Sequence, residues 1–216
     1  MLTKVRKILL SLIMLYTIFI EVKAFGLTIN SLGTGIFVYY TEISNLITLL
    51  SSAVALVYII LKFGAPDLEF PRWLSAIRFL SATMLLMTML ITIFVLVPYS
   101  PHLKDSLLFS GYGLYHHTIA PIVTILSYIL FEPHSNKKKV VFIPLLATAV
   151  YGTVMILLNI LGKVTGPYFF LKVNYQAVST SVIWSAGLLV LVLAFAGLVY
   201  FLAFIVDFIK RKITKN

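Results

Sequence analysis

Long apolar runs alternate with short polar connections along the chain. Six of the runs can be drawn as membrane spans: about Ile8 to Phe25, Phe37 to Phe63, Trp73 to Val97, Tyr112 to Phe131, Val140 to Leu161 and Ser181 to Ile209. A helix rises about 1.5 Å per residue, so roughly 20 apolar residues match the hydrocarbon thickness of a bilayer. No repeat and no low-complexity segment interrupts this layout.

The second run departs from the plain apolar pattern. Its head reads Tyr39-Tyr40-Thr41-Glu42-Ile43-Ser44-Asn45, and polar residues continue at Thr48, Ser51 and Ser52. Positions 41, 45, 48 and 52 recur at i, i+4, i+7 and i+11, with 44 and 51 beside them, so all share one helical face. Lipid does not require such a stripe, and the face is expected to meet other helices, water or a substrate. The fourth run carries a second stripe at the same spacing: His117, Pro121, Thr124 and Tyr128. Because Pro121 has no N–H, the carbonyl of His117 is expected to lose its helical partner and the helix to bend there.

Composition sharpens this picture. The 216 residues are 61% hydrophobic and 11% charged, where a soluble domain carries about 25% charged residues. The reading is an all-α polytopic membrane protein, one six-helix transmembrane domain covering residues 1–216. The absence of cysteine excludes disulfides, thiolate catalysis and Cys-ligated metals.

The net charge of +10 would suggest nucleic acid in a soluble protein. Here the basic residues lie beside and between the apolar runs and read as topology signals, so no nucleic-acid partner is expected. Thirteen of the 17 Lys and Arg residues fall in four segments: Lys4, Arg6 and Lys7; Lys62, Arg72 and Arg78; Lys137, Lys138 and Lys139; Lys210, Arg211, Lys212 and Lys215. The other three connections hold Lys23, Lys104, Lys163 and Lys172. That alternation supports six spans and places both termini in the cytoplasm. The basic N-terminus followed by an apolar run resembles a secretion signal, but Val22-Lys23-Ala24 puts a lysine at the only candidate cleavage site, so the run is read as the first span. The short connections point to a multi-pass protein of the cell membrane.

Topology brings polar residues to a common level. Counting from the outer ends of their spans, Thr41 lies roughly 6 Å deep and His117 roughly 7 Å deep. Asn159 sits near the outer end of the fifth span. A histidine within a span is commonly functional or paired, and its ordinary pKa suits it to general-base work. A hydroxyl needs such a base to act as a nucleophile at neutral pH, and Thr41 with His117 would supply both.

Plainer readings apply to the neighbours. Ser44, Thr48, Ser51 and Ser52 read first as helix-packing hydroxyls. Arg78 and Asp207 are expected to snorkel to headgroups or to pair with one another. Aromatic residues near span ends, including Trp73, Tyr112, Tyr168 and Trp184, fit an interfacial belt. His116 and His117 diverge on a helix and His102 and His134 lie elsewhere, so no metal and no cofactor are expected.

Three local patterns, with their order and the six-span layout, resemble a known family. They are Tyr40-Thr41-x-x-Ser44-Asn45, His117-x-x-x-Pro121 and Gly166-Pro167-Tyr168-Phe169-Phe170. The family comprises the six-helix membrane proteins related to the androgen-induced protein and the androgen-dependent TFPI-regulating protein. Its eukaryotic members are threonine hydrolases that cleave fatty acid esters of hydroxy fatty acids. The resemblance implies Thr41 as nucleophile and His117 as base; the threonine after His117 and its place on the stripe favour it over His116. Asn45, Ser44, His116 and Asn159 are candidates by position for holding substrate or oxyanion. An ester would then sit between spans 2 and 4, with its acyl chain along their apolar lower parts. The 5–6 connection, with its Gly-Pro-Tyr-Phe-Phe core, could cover the site. Membrane lipids and a lipid-like ester are the expected partners. A small transporter or channel, or an acyltransferase using the same Thr/His pair, are the competing functions.

Overall fold

A computed structural model describes residues 2–135 and 137–213. Its six long helices are labelled here α1 (Leu2–Leu32), α2 (Tyr40–Leu61), α3 (Arg72–Tyr99), α4 (Gly111–Leu130), α5 (Lys138–Ile160) and α6 (Val178–Ile213). All six are long and apolar enough to cross a membrane, and no strand occurs among the described residues. The fold is that of an all-α polytopic membrane protein.

Local chemistry sets the helix ends. Gly33 takes a positive φ of 74° after α1, a conformation that costs glycine little. Pro71 precedes the first turn of α3, where its missing N–H is harmless. Two widened turns, Thr92–Leu96 in α3 and Tyr115–Ile119 in α4, end two residues before Pro98 and Pro121. A proline deprives the preceding turn of a donor, and a π-helical turn is one way a helix absorbs that loss. The first helix runs past Phe25 to Leu32, further than hydropathy alone indicates. Phe25 is buried there, with its ring 4.9 Å from that of His116.

Helix α3 is central and touches α2, α4, α5 and α6, while α1 packs on α2 and α4. Both polar stripes face inward: Thr41, Ser44, Asn45, Thr48, Ser51 and Ser52 are all buried, as are His117, Pro121, Thr124 and Tyr128. Hydroxyls join α2 to α3, with Thr48 Oγ1 2.7 Å from Ser81 Oγ and Ser44 Oγ 3.1 Å from Thr88 Oγ1. The packing role expected of Ser44 and Thr48 is what they perform.

The basic segments gather at one end of the bundle. Lys7 Nζ donates to the carbonyls of Lys62 (2.8 Å), Phe63 and Ala65, just past the end of α2. Arg6 Nε donates to Phe131 O after α4. The carboxylate of Asp207, near the end of α6, lies 2.9 Å from His134 Nδ1. Lys215, counted with the basic segments, lies outside the described residues.

One charge behaves differently from expectation. Arg78 neither snorkels nor meets Asp207: it is fully buried and pairs with Glu132 at 2.6 Å. Its Nη1 also donates to Ser52 Oγ (2.8 Å) and Ser51 Oγ (3.3 Å), so these two serines serve the guanidinium rather than simple helix approach. The cause is the pairing itself, since a paired and hydrogen-bonded arginine need not reach water.

Candidate functional site

At the end of the bundle opposite the basic segments, Thr41 and His117 meet. Thr41 is the second residue of α2, and His117 lies in the widened turn of α4. Thr41 Oγ1 and His117 Nε2 are 3.4 Å apart, and each residue is 6% exposed.

The ring of His117 is oriented from its other nitrogen. A short helix, Lys104–Leu108, runs ahead of α4 and sets Leu107 O 2.8 Å from His117 Nδ1. A carbonyl only accepts, so Nδ1 carries the hydrogen and Nε2 keeps its lone pair toward Thr41. Thr118 Oγ1 donates to Leu108 O at 2.9 Å and holds the same short helix. Gly113 makes this approach feasible, because a Cβ there would collide with the carbonyl of Ser106 and lie 2.8 Å from that of Leu107. No acidic side chain orients His117. A backbone carbonyl takes that part, and no side-chain pattern in the sequence announces it.

Tyr168, in the connection between α5 and α6, reaches the same hydroxyl. Its Oη lies 3.4 Å from Thr41 Oγ1 and 3.4 Å from Thr41 N. Donor directions therefore run in series. The Tyr168 hydroxyl donates to Thr41 Oγ1, the Thr41 hydroxyl to His117 Nε2, and His117 Nδ1–H to Leu107 O. Tyr168 is held by rings: Phe170 stacks on it at 5.1 Å, and Tyr39 meets it edge-on at 6.0 Å. Its hydroxyl is turned toward Thr41. The connection thus lies over Thr41.

On its other side Thr41 opens onto a cavity of about 160 Å³ between α2, α3, α5 and α6. Met87, Ile91, Leu96, Ile156, Phe170, Leu171, Leu188 and Leu189 are among its apolar lining, and Tyr40, Thr41, Thr88, Thr92, Thr148, Tyr151, Thr153, Tyr168 and Ser185 bring hydroxyls to it. The apolar space adjoining Thr41 is therefore not between α2 and α4. None of the residues lining this cavity belongs to α4.

The residues next to Thr41 and His117 pair as well. Glu42 Oε1 lies 3.1 Å from His116 Nδ1, and Glu21 of α1 approaches His116 Nε2 at 3.5 Å. Consecutive residues on α2 and α4 thus make two contacts side by side, fixing the register that brings Thr41 to His117. Glu42 turns away from Thr41, as helical geometry requires. Sequence reading passed over Glu21, although a carboxylate inside a span is itself a signal of function or pairing.

The candidate oxyanion donors are otherwise engaged. Ser44 Oγ donates to Thr41 O (2.8 Å), and Asn45 Nδ2 donates to Thr41 O (2.8 Å) and to His116 O (3.4 Å). Ala120 N–H donates five residues back to Tyr115 O, which leaves the His116 carbonyl without its usual helical donor as well, and Asn45 takes it. His116 is committed to the two glutamates. Asn159 serves the connection: Nδ2 donates to Thr165 O (3.2 Å), and Oδ1 accepts from Gly166 N–H (2.9 Å). Gly166 itself needs a φ of 88°, and a Cβ there would lie 2.9 Å from Leu171 O. Among the described residues no group of three or more His, Cys, Asp or Glu side chains is arranged to hold a metal ion.

No family model, curated protein or solved structure matches this chain.

Proposed function

We propose that this chain is an integral-membrane hydrolase of fatty-acyl esters, with Thr41 as nucleophile and His117 as general base. The observation that carries the reading is the directed pair. His117 Nε2 is presented as an acceptor 3.4 Å from Thr41 Oγ1, and that hydroxyl borders an apolar cavity. The resemblance of the Tyr40-Thr41-x-x-Ser44-Asn45 and His117-x-x-x-Pro121 motifs to those of membrane threonine hydrolases supports the same assignment.

The chemistry follows from the donor directions. Thr41 Oγ1 attacks the acyl carbonyl carbon while its proton passes to His117 Nε2, and the carbonyl π pair moves onto oxygen. Collapse re-forms the carbonyl and breaks the bond to the alkoxy group, which leaves with the proton from Nε2. Water then attacks the acyl-threonine, gives a proton to Nε2 and releases the fatty acid as Thr41 recovers its own. Leu107 O holds Nδ1–H throughout and stabilises the imidazolium that forms twice per cycle. The acyl chain lies in the cavity between α2, α3, α5 and α6, where burial of each methylene contributes about 0.8 kcal/mol.

The test is release of free fatty acid from an ester of a hydroxy fatty acid by detergent-purified protein. Wild type is expected to release acid, and Thr41→Ala and His117→Ala to lose the activity with unchanged size-exclusion profiles. Undiminished release by Thr41→Ala would contradict the reading.

One observation favours a second reading. Glu21 and Glu42 place two carboxylates against one imidazole inside the membrane-spanning bundle, an arrangement that also suits proton-coupled transport. Proton-driven solute uptake in vesicles that persists in Thr41→Ala would favour transport. Transfer of the acyl group to a lipid alcohol rather than to water would make the same pair an acyltransferase.

A further inference from the structure

The tetrahedral intermediate of ester cleavage carries a full negative charge on the former carbonyl oxygen, and it needs donors aimed at that position. Ser44, Asn45 and Asn159 donate to main-chain carbonyls, and His116 faces Glu42 and Glu21. The connection between α5 and α6 supplies what they do not. Resting on the hydrolase reading, we propose that Tyr168 is a catalytic residue, its hydroxyl donating to the oxyanion formed on attack by Thr41.

Three observations converge. First, Tyr168 Oη lies 3.4 Å from Thr41 Oγ1, and an oxyanion is held one bond beyond that nucleophile, on the carbon it attacks. Second, Tyr168 lines the cavity together with Thr41, so a carbonyl entering with its acyl chain in the cavity meets both hydroxyls. Third, Thr41 N–H points at the same hydroxyl from 3.4 Å. It belongs to the first turn of α2, where amides have no acceptor within the helix, and the Tyr39 side chain does not cap that turn. An oxyanion displacing the Tyr168–Thr41 contact would accept from both.

Burial pushes the Tyr168 phenol up to about 12, so its proton stays in place at neutral pH and it acts as a donor rather than as an acid. No proton is transferred; the hydrogen bond strengthens as charge develops and relaxes as the intermediate collapses. The aromatic packing fixes the hydroxyl before substrate arrives. Phe169 stacks on Tyr99 at 3.9 Å and meets Trp184 edge-on at 5.4 Å, which ties the connection to α3 and α6. Such preorganisation is what makes an oxyanion donor effective.

Tyr168→Phe removes the hydroxyl and keeps the ring that Phe170 and Tyr39 pack against. Turnover of a p-nitrophenyl acyl ester by purified protein is expected to show kcat reduced about 10²-fold with KM unchanged. A second measurement separates chemistry from structure. An acyl trifluoromethyl ketone, which Thr41 would capture as a tetrahedral adduct, should bind Tyr168→Phe far more weakly than wild type. The corresponding unreactive acyl amide should bind both alike. A merely structural tyrosine would move both ligands or neither. Wild-type kcat in Tyr168→Phe, or equal trifluoromethyl ketone affinity, would overturn the role of Tyr168 and leave the hydrolase reading intact. An inactive wild type of native size-exclusion profile would overturn both.

Discussion

Two buried charge clusters sit at opposite ends of the same bundle, and they are built on opposite principles. At the basic end, Arg78 faces Glu132 with Nε and Nη2 both donating to the carboxylate, while Nη1 donates to Ser51 and Ser52. Ser127 Oγ completes the carboxylate at 3.0 Å. One positive and one negative charge are matched, and each guanidinium nitrogen finds an acceptor. At the other end, His116 lies between Glu21 and Glu42, one imidazole for two carboxylates, all buried. Both oxygens of Glu21, Oε2 of Glu42 and Nε2 of His116 make no hydrogen bond. A satisfied network rigidifies a core, whereas a partly satisfied one is costly in a low dielectric and marks a place where stability is not the only demand. The unsatisfied cluster is one residue away from both Thr41 and His117. The matched cluster stabilises the bundle, and the mismatched one lies at the end that holds Thr41 and His117.

This contrast can be broken by mutation. The largest effect is expected from Glu132→Ala, which leaves a guanidinium buried without its partner and should cost about 3–5 kcal/mol. Thermal unfolding in detergent measures it, and the double change Arg78→Met with Glu132→Met should recover most of the loss. Wild-type stability in the single variant would mean that water reaches Arg78. Gly113→Ala comes next. It pushes the short helix Lys104–Leu108 away and draws Leu107 O off His117, so ester turnover should fall about 10²-fold, with a lower melting temperature because the displaced atoms are main-chain. Undiminished turnover would remove Leu107 from the account. Glu42→Gln keeps a hydrogen bond to His116 while removing its charge, and a loss of about tenfold in turnover is expected from a looser register. The smallest effect belongs to Glu21→Gln, where a carboxylate without hydrogen bonds becomes a neutral amide. Stability should stay within about 1 kcal/mol of wild type. A loss like that of Glu132→Ala would show the two clusters to be the same kind of structure.

Much of the architecture was legible in periodicity and charge. Six apolar runs became six helices, and both polar stripes turned inward because a buried face is what the spacing encodes. The common level of Thr41 and His117 followed from span order. Lateral contact was not legible, since residues 54 positions apart such as Arg78 and Glu132 carry no mark of their pairing in either helix. For that reason Arg78 was expected at the headgroups. The orienting group of His117 was invisible for a different reason. It is a main-chain carbonyl, brought in by the absence of a side chain at Gly113, and every residue has a carbonyl to offer. Tyr168 stood in a motif whose aromatic content suggested a membrane-facing role, and only its height above Thr41 gives the hydroxyl a task. The cavity, too, depends on how four helices diverge, which no single helix specifies.

The central claim is that the hydroxyl of Thr41, and no other, is activated by His117. Peptide mass spectrometry of purified protein treated with a fluorophosphonate tests it most directly. The account predicts a phosphonyl adduct on Thr41 in wild type, absent from His117→Ala protein of unchanged size-exclusion profile. An adduct on a different residue, or none on folded wild-type protein, would contradict it.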